Sequence, residues 1–198
     1  MRNYSVAVVF AMLVGCAGSP TKTVTSADAD MQRRQAVQAD PLNESESAQM
    51  NKAQQAIASQ NWASAESLLT DLEVQRPRVS EIHASLGWVA RQKGEYPAAI
   101  ESYRRAFDLD PFDAVSANNL ALLLREQGRF KEAVSLLKEG IEYSPDVADL
   151  HYNLAVIAEL YLLDLELALE HYREFRALDG QPGQQVAGWI ADLERRLN

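Results

Sequence analysis

Large apolar and small residues recur along this chain at a fixed interval. Leu86, Gly94, Tyr96, Ala99, Tyr103, Ala106 and Pro111 are answered 34 positions later by Leu120, Gly128, Phe130, Ala133, Leu137, Gly140 and Pro145. Trp62, Ala65, Leu69, Leu72 and Pro77 stand the same distance before Tyr96, Ala99, Tyr103, Ala106 and Pro111. Within an interval the apolar positions fall at helical spacing in two runs, and a proline closes the second. A period of this length predicts a solenoid of helical hairpins, and so an all-α fold class. The register gives units over 46–79, 80–113, 114–147 and 148–181, then a capping helix over 184–197.

The fourth unit departs from the pattern. Leu154 and Ala155 match Leu120 and Ala121, but Ala168 and Tyr172 come 35 positions after Ala133 and Leu137. One residue is therefore inserted in the turn, where Leu162 stands at the place of the expected glycine, and the proline is displaced to Pro182. Val186, Trp189, Ile190, Leu193 and Leu197 make one apolar stripe, as a helix that closes the end of an open array requires. Asp113 and Asp146 stand where the following helix needs an N-cap.

This pattern resembles the tetratricopeptide repeat (TPR). The small residues of the eighth, twentieth and twenty-seventh places appear as Gly87, Ala99 and Ala106, then as Ala121, Ala133 and Gly140. The resemblance implies that the first helix of each unit lines a concave face. The sixth place there reads Asn51, Ser85, Asn119, Asn153, and the fifth Met50, Ala84, Asn118, Tyr152. The ninth reads Gln54, Trp88, Leu122, Val156, and the twelfth Ile57, Arg91, Arg125, Glu159. The implied peptide-binding groove is Asn51, Trp88, Arg91, Asn118, Asn119, Leu122, Arg125, Tyr152 and Asn153.

Asparagine both donates and accepts, so it can hold the backbone of an extended peptide whatever its side chains. Trp88, Leu122 and Tyr152 offer apolar anchors, and Arg91 and Arg125 are placed to meet a carboxylate. The alternative has the asparagines satisfying neighbouring helix ends and the arginines pairing with Glu126 or Glu95. The lysine pair of the TPR clamp that binds chaperone tails is absent; only the Asn119 place agrees.

Upstream of the array, Met1-Arg2-Asn3 carries one side-chain cation, and Tyr4 to Val14 is an apolar run too short to span a bilayer. It ends in Leu13-Val14-Gly15-Cys16, which resembles the bacterial lipobox. That resemblance implies a signal peptide over 1–15, diacylglycerol on the Cys16 sulfur, and acylation of the new amino terminus. Each buried methylene of such chains contributes about 0.8 kcal/mol, so several chains hold where one would not. Ala17, rather than Asp, implies the outer membrane of a Gram-negative bacterium, with the protein facing the periplasm. The alternative is an ordinary secretory signal with an incidental cysteine. From Cys16 to residue 45 the chain is poor in large apolar residues and reads as a flexible tether.

Charge and chemistry narrow the function. Net charge is -9, which excludes a basic face for nucleic acid. Cys16 is the only cysteine, so no internal disulfide is possible. His83, His151 and His171 show no metal-ligand spacing; His83 and His151 share the fourth place of their units and read as packing residues. No phosphate-cradling loop or nucleophile motif is present, so no enzyme and no cofactor beyond the lipid on Cys16 is expected. The resemblance extends to small TPR lipoproteins that help pilus or secretion machines assemble, such as type IV pilus pilotins and Flp-pilus assembly lipoproteins. It implies a non-enzymatic adaptor that holds a protein or peptide ligand. Two other readings are an adaptor for outer-membrane protein assembly or cell-wall hydrolases, and a spacer that self-associates through the apolar turn Tyr161 to Leu165 and the capping helix.

Overall fold

The computed structural model describes residues 41–178 and 184–198. The expected signal peptide, Cys16, most of the tether and Pro182 lie outside the described residues.

Among the described residues the chain forms nine α-helices and no strand. They are α1 (Glu44–Ala58), α2 (Trp62–Gln75), α3 (Ser80–Lys93), α4 (Tyr96–Leu109), α5 (Ala114–Glu126), α6 (Phe130–Tyr143), α7 (Ala148–Ile157), α8 (Leu165–Leu178) and α9 (Gln184–Leu197). A π-helical turn, Ala158–Leu162, extends α7. Helices α1/α2, α3/α4, α5/α6 and α7/α8 pack as successive hairpins, each hairpin rests on the next, and α9 closes the end against α8. The array begins at Glu44, where Asn43 and Glu46 cap each other's backbone: Glu46 N–H donates to Asn43 Oδ1 (3.0 Å) and Asn43 N–H to Glu46 Oε2 (2.8 Å).

The turn inside each hairpin places one residue in the left-handed region. Gly94 (φ 78°) and Gly128 (φ 73°) take it without a Cβ penalty, whereas Gln60 (φ 57°) and Leu163 (φ 56°) bear a cost of roughly 1–2 kcal/mol. The fourth unit therefore corrects one expectation. The glycine place falls to Leu163, not Leu162, because the inserted residue is absorbed earlier, as the π-helical turn. A second expectation fails at Asp146. Asp113 caps α5 by accepting from Ser116 N–H (3.0 Å), but the equivalent residue before α7 is Val147, which makes no side-chain cap. Asp146 stands one residue too early to reach the helix.

The small places do what close helix approach demands. A Cβ on Gly87 would lie 2.9 Å from the ring of Tyr103 on α4, and one on Gly140 would lie 3.3 Å from Ala117 Cβ. Behind these contacts the apolar interior divides into two clusters. Met50, Ala53, Leu69, Leu72, Ile82 and Val89 belong to one, and Tyr103, Leu120, Leu137, Leu154, Tyr172 and Ile190 to the other. The division runs along α3, whose Val89 faces the first cluster and whose Ala90 joins the second. Beside it lies a cleft of about 530 Å³ lined by Glu73, His83, Leu86, Ser102 and Arg105. Ser102 occupies the register place that buried Leu136 and His171 fill in the third and fourth units.

Because the Tyr103 ring is rigid and fully enclosed, Gly87→Ala is expected to destabilise the array by about 1–3 kcal/mol, the usual cost of overpacking. Urea denaturation followed by circular dichroism checks this; an unchanged midpoint would mean that α3 and α4 can separate freely.

Candidate functional site

The first helices α1, α3, α5 and α7 carry all nine groove residues, and the structure sorts them by availability. Trp88 on α3 is 40% exposed, although large and aromatic. Asn51 on α1 is exposed, and Asn118, Asn119, Leu122 and Arg125 on α5 are half-buried. These residues line the face that repeat solenoids use for extended ligands.

Polar side chains run across this face from helix to helix. Gln54 Nε2 donates to Glu81 Oε1 (3.1 Å), Arg91 Nη1 to Asn119 Oδ1 (3.1 Å), and Asn153 Nδ2 to Asn118 Oδ1 (2.6 Å). Arg91 also lies 3.7 Å from Glu126. The asparagines thus pair along the face, with each other and with Arg91, rather than closing helix ends, while Arg91 does take the Glu126 partner. Arg91 is therefore a fold contact, and an acid in its place would face Glu126. Arg125 differs: among the described residues no hydrogen bond or ion pair holds its half-buried guanidinium.

Two expected groove residues are turned to other work. Asn153 is buried. Tyr152 packs into an aromatic cluster that binds α9 to the array, with ring centroids 5.1 Å from Phe175, 6.4 Å from Tyr172 and 6.3 Å from Trp189. Next to this cluster Tyr172 Oη donates to Glu159 Oε2 (3.1 Å), and Arg196 Nη1 reaches Glu159 Oε1 (3.4 Å). Burial first, then the Glu159 carboxylate, raises the Tyr172 hydroxyl above its ordinary pKa. The twelfth place of the fourth unit is thus committed to holding the capping helix.

The histidines form a structural pair that their spacing along the chain concealed. His83 Nε2 lies 2.9 Å from the Pro77 carbonyl, and His151 Nε2 lies 3.1 Å from that of Pro145. Each ties its helix to the turn before it, so the shared fourth place has a polar role besides packing. His151 Nδ1 also lies 2.9 Å from His171 Nδ1 on α8. A carbonyl only accepts, so His151 carries its hydrogen on Nε2 and accepts at Nδ1 from the Nδ1–H of His171. Burial, then the neighbouring His151, lowers the His171 pKa from its ordinary 6.5. Among the described residues no group of three His, Cys, Asp or Glu side chains could hold a metal ion, and no helix is long and apolar enough to cross a membrane.

Comparison with known proteins now bears on this geometry. Tetratricopeptide-repeat family models match residues 50–114 and 121–159. The array is a TPR solenoid. TPR arrays are protein-interaction scaffolds and typically not catalytic, and the matched families are repeat families rather than enzymes. The chain is similar to pilF of Pseudomonas aeruginosa, with 26% identity, a TM-score of 0.64, and 77% of this chain and 69% of that one covered. It shares its fold with the first TPR of Spaghetti (RPAP3) bound to an HSP90 peptide, at 19% identity and a TM-score of 0.53, over 60% of this chain and 92% of that one. Protein SULFUR DEFICIENCY-INDUCED 1 of Arabidopsis thaliana is 35% identical over 48% of this chain and 31% of its own length. The chain spans less than a third of the curated relatives it matches.

The low His171 pKa carries a pH signature. An unfolded chain takes up a proton at this residue near pH 6.5 and the folded one resists it, so its stabilisation is complete above pH 6.5 and is lost as pH falls through the folded value. Denaturation midpoints measured from pH 7.5 down to 5 are expected to fall, and to fall less in His171→Leu. An equal fall in both would remove the buried pair as the cause.

Proposed function

We propose that this chain is a non-enzymatic adaptor that holds an extended segment of a partner protein along its first-helix face. The observation that carries the reading is Trp88, a large aromatic left 40% exposed on the first-helix face, beside cross-helix polar pairs. The similarity to pilF supports assembly of an envelope machine, such as a pilus or a secretin, as the setting. The lipobox-like Leu13-Val14-Gly15-Cys16 supports attachment through lipid on Cys16 to the outer membrane, with the array in the periplasm and no other cofactor.

The chain lacking residues 1–16, immobilised and exposed to solubilised cell envelope, tests this. A secretin subunit is expected among the retained proteins, with Trp88→Ala lowering its affinity roughly tenfold or more, as loss of an interface aromatic does. Absence of any secretin would end the pilus version. Retention instead of an outer-membrane assembly factor or a cell-wall hydrolase would redirect the adaptor to that partner.

A second reading, a self-associating spacer, is favoured by one observation. Leu160, Tyr161 and Leu163 at the π-helical turn are 62%, 46% and 74% exposed, an apolar group that solvent does not favour. Leu162, in contrast, is packed against the core and is unsuited to test this. On this reading Leu163→Asp lowers the mass measured by light scattering at high concentration. A monomeric unaltered chain at every concentration would end it.

A further inference from the structure

The repeat supplies its own control for the one half-buried arginine without a partner among the described residues. Arg91 and Arg125 hold the same place in adjacent units. Arg91 is satisfied by the sixth and thirteenth places of the unit that follows it, Asn119 and Glu126. The corresponding residues for Arg125 are Asn153 and Leu160, or Tyr161 once the inserted residue is counted. Asn153 is buried, donates its Nδ2 to Asn118 Oδ1, and makes no hydrogen bond to Arg125 through its own Oδ1. Leu160 and Tyr161 are apolar and exposed. The carboxylate that the array provides once is thus missing at its second occurrence, where the matching register place holds an exposed apolar residue. A half-buried guanidinium without an acceptor is unfavourable in a chain of net charge -9 with acids to spare.

We infer that Arg125, together with Leu160 and Tyr161, is the specificity site of the groove, and that it takes a carboxylate carried beside a large apolar side chain on an extended polypeptide. The inference rests on the reading that the first-helix face binds polypeptide, and it names what that polypeptide must carry. The ligand carboxylate occupies the position that Glu126 occupies beside Arg91. Its apolar neighbour covers Leu160 and Tyr161, which are 62% and 46% exposed with Tyr161 stacked on Phe130 at a centroid distance of 4.3 Å. Glu159, the acid beside Leu160 in the chain, is already held by Tyr172 and Arg196. Charge and apolarity must arrive together, since either alone leaves half the site unmet.

A random dodecapeptide library selected on the immobilised full-length chain tests this. Enriched peptides are expected to carry Asp or Glu within two residues of Leu, Ile, Phe or Tyr. Arg125→Gln should weaken a selected peptide tenfold or more. Leu160→Glu, at an exposed position, supplies the missing internal acceptor and should abolish the acidic preference in the same way, while peptides that depend on Trp88 alone still bind. Enrichment of peptides without an acid, sensitive to Trp88→Ala but not to Arg125→Gln, overturns the specificity site and leaves the groove reading standing. No enrichment of any peptide overturns both.

Discussion

The two helices of a unit lie side by side because small residues stand where they touch. Gly87 against the Tyr103 ring is the tightest case, with Gly140 against Ala117 a milder one. Once that distance is set, most large residues fill the space between helices and between units, where they form the two apolar clusters. The faces that remain are then fixed as well: first helices on one side, second helices on the other. The groove is a by-product of this packing, and its chemistry is whatever the packing leaves unclaimed.

The fold was legible because it is written several times. Recurrence of Leu86, Ala99, Tyr103 and Pro111 at constant spacing marks helices, turns and unit boundaries together. The turn of the fourth unit was only partly legible: a count shows that one residue is extra, but not whether α7 overwinds before the turn or the loop lengthens. The π-helical segment ending at left-handed Leu163 is the answer packing selected. Asp146 misled because an acid near a helix start resembles a cap even when it stands one residue away from the place whose side chain can accept the bond.

The groove residues were legible as positions and not as contacts. Register alone brought Asn118, Asn119, Arg91 and Arg125 to one face. It could not tell that Asn153 would turn inward, that Tyr152 would join Phe175, Tyr172 and Trp189, or that Arg91 and Arg125 would part company. Those outcomes depend on side chains contributed by the next unit, so they are visible only when neighbours are compared across the stack. The His151–His171 pair belongs to the same class: its members stand on facing helices at a separation that matches no motif. A register comparison of Ser102, Leu136 and His171 holds its only trace in the sequence.

The divided interior gives the array a direction. Helices α1 and α2 keep most of their apolar contacts within a cluster of their own, and the cleft at Ser102 runs along its border with the rest. Opening along α3 therefore exposes less apolar surface than opening within α5 to α9, where one cluster spans every helix. The chain enters the array through α1. An opening that begins at α1 involves the smaller cluster, while the helices that carry Arg125 and the capping cluster belong to the larger one. The weaker border therefore falls across the first-helix face itself, between Asn51 on α1 and Arg125 on α5.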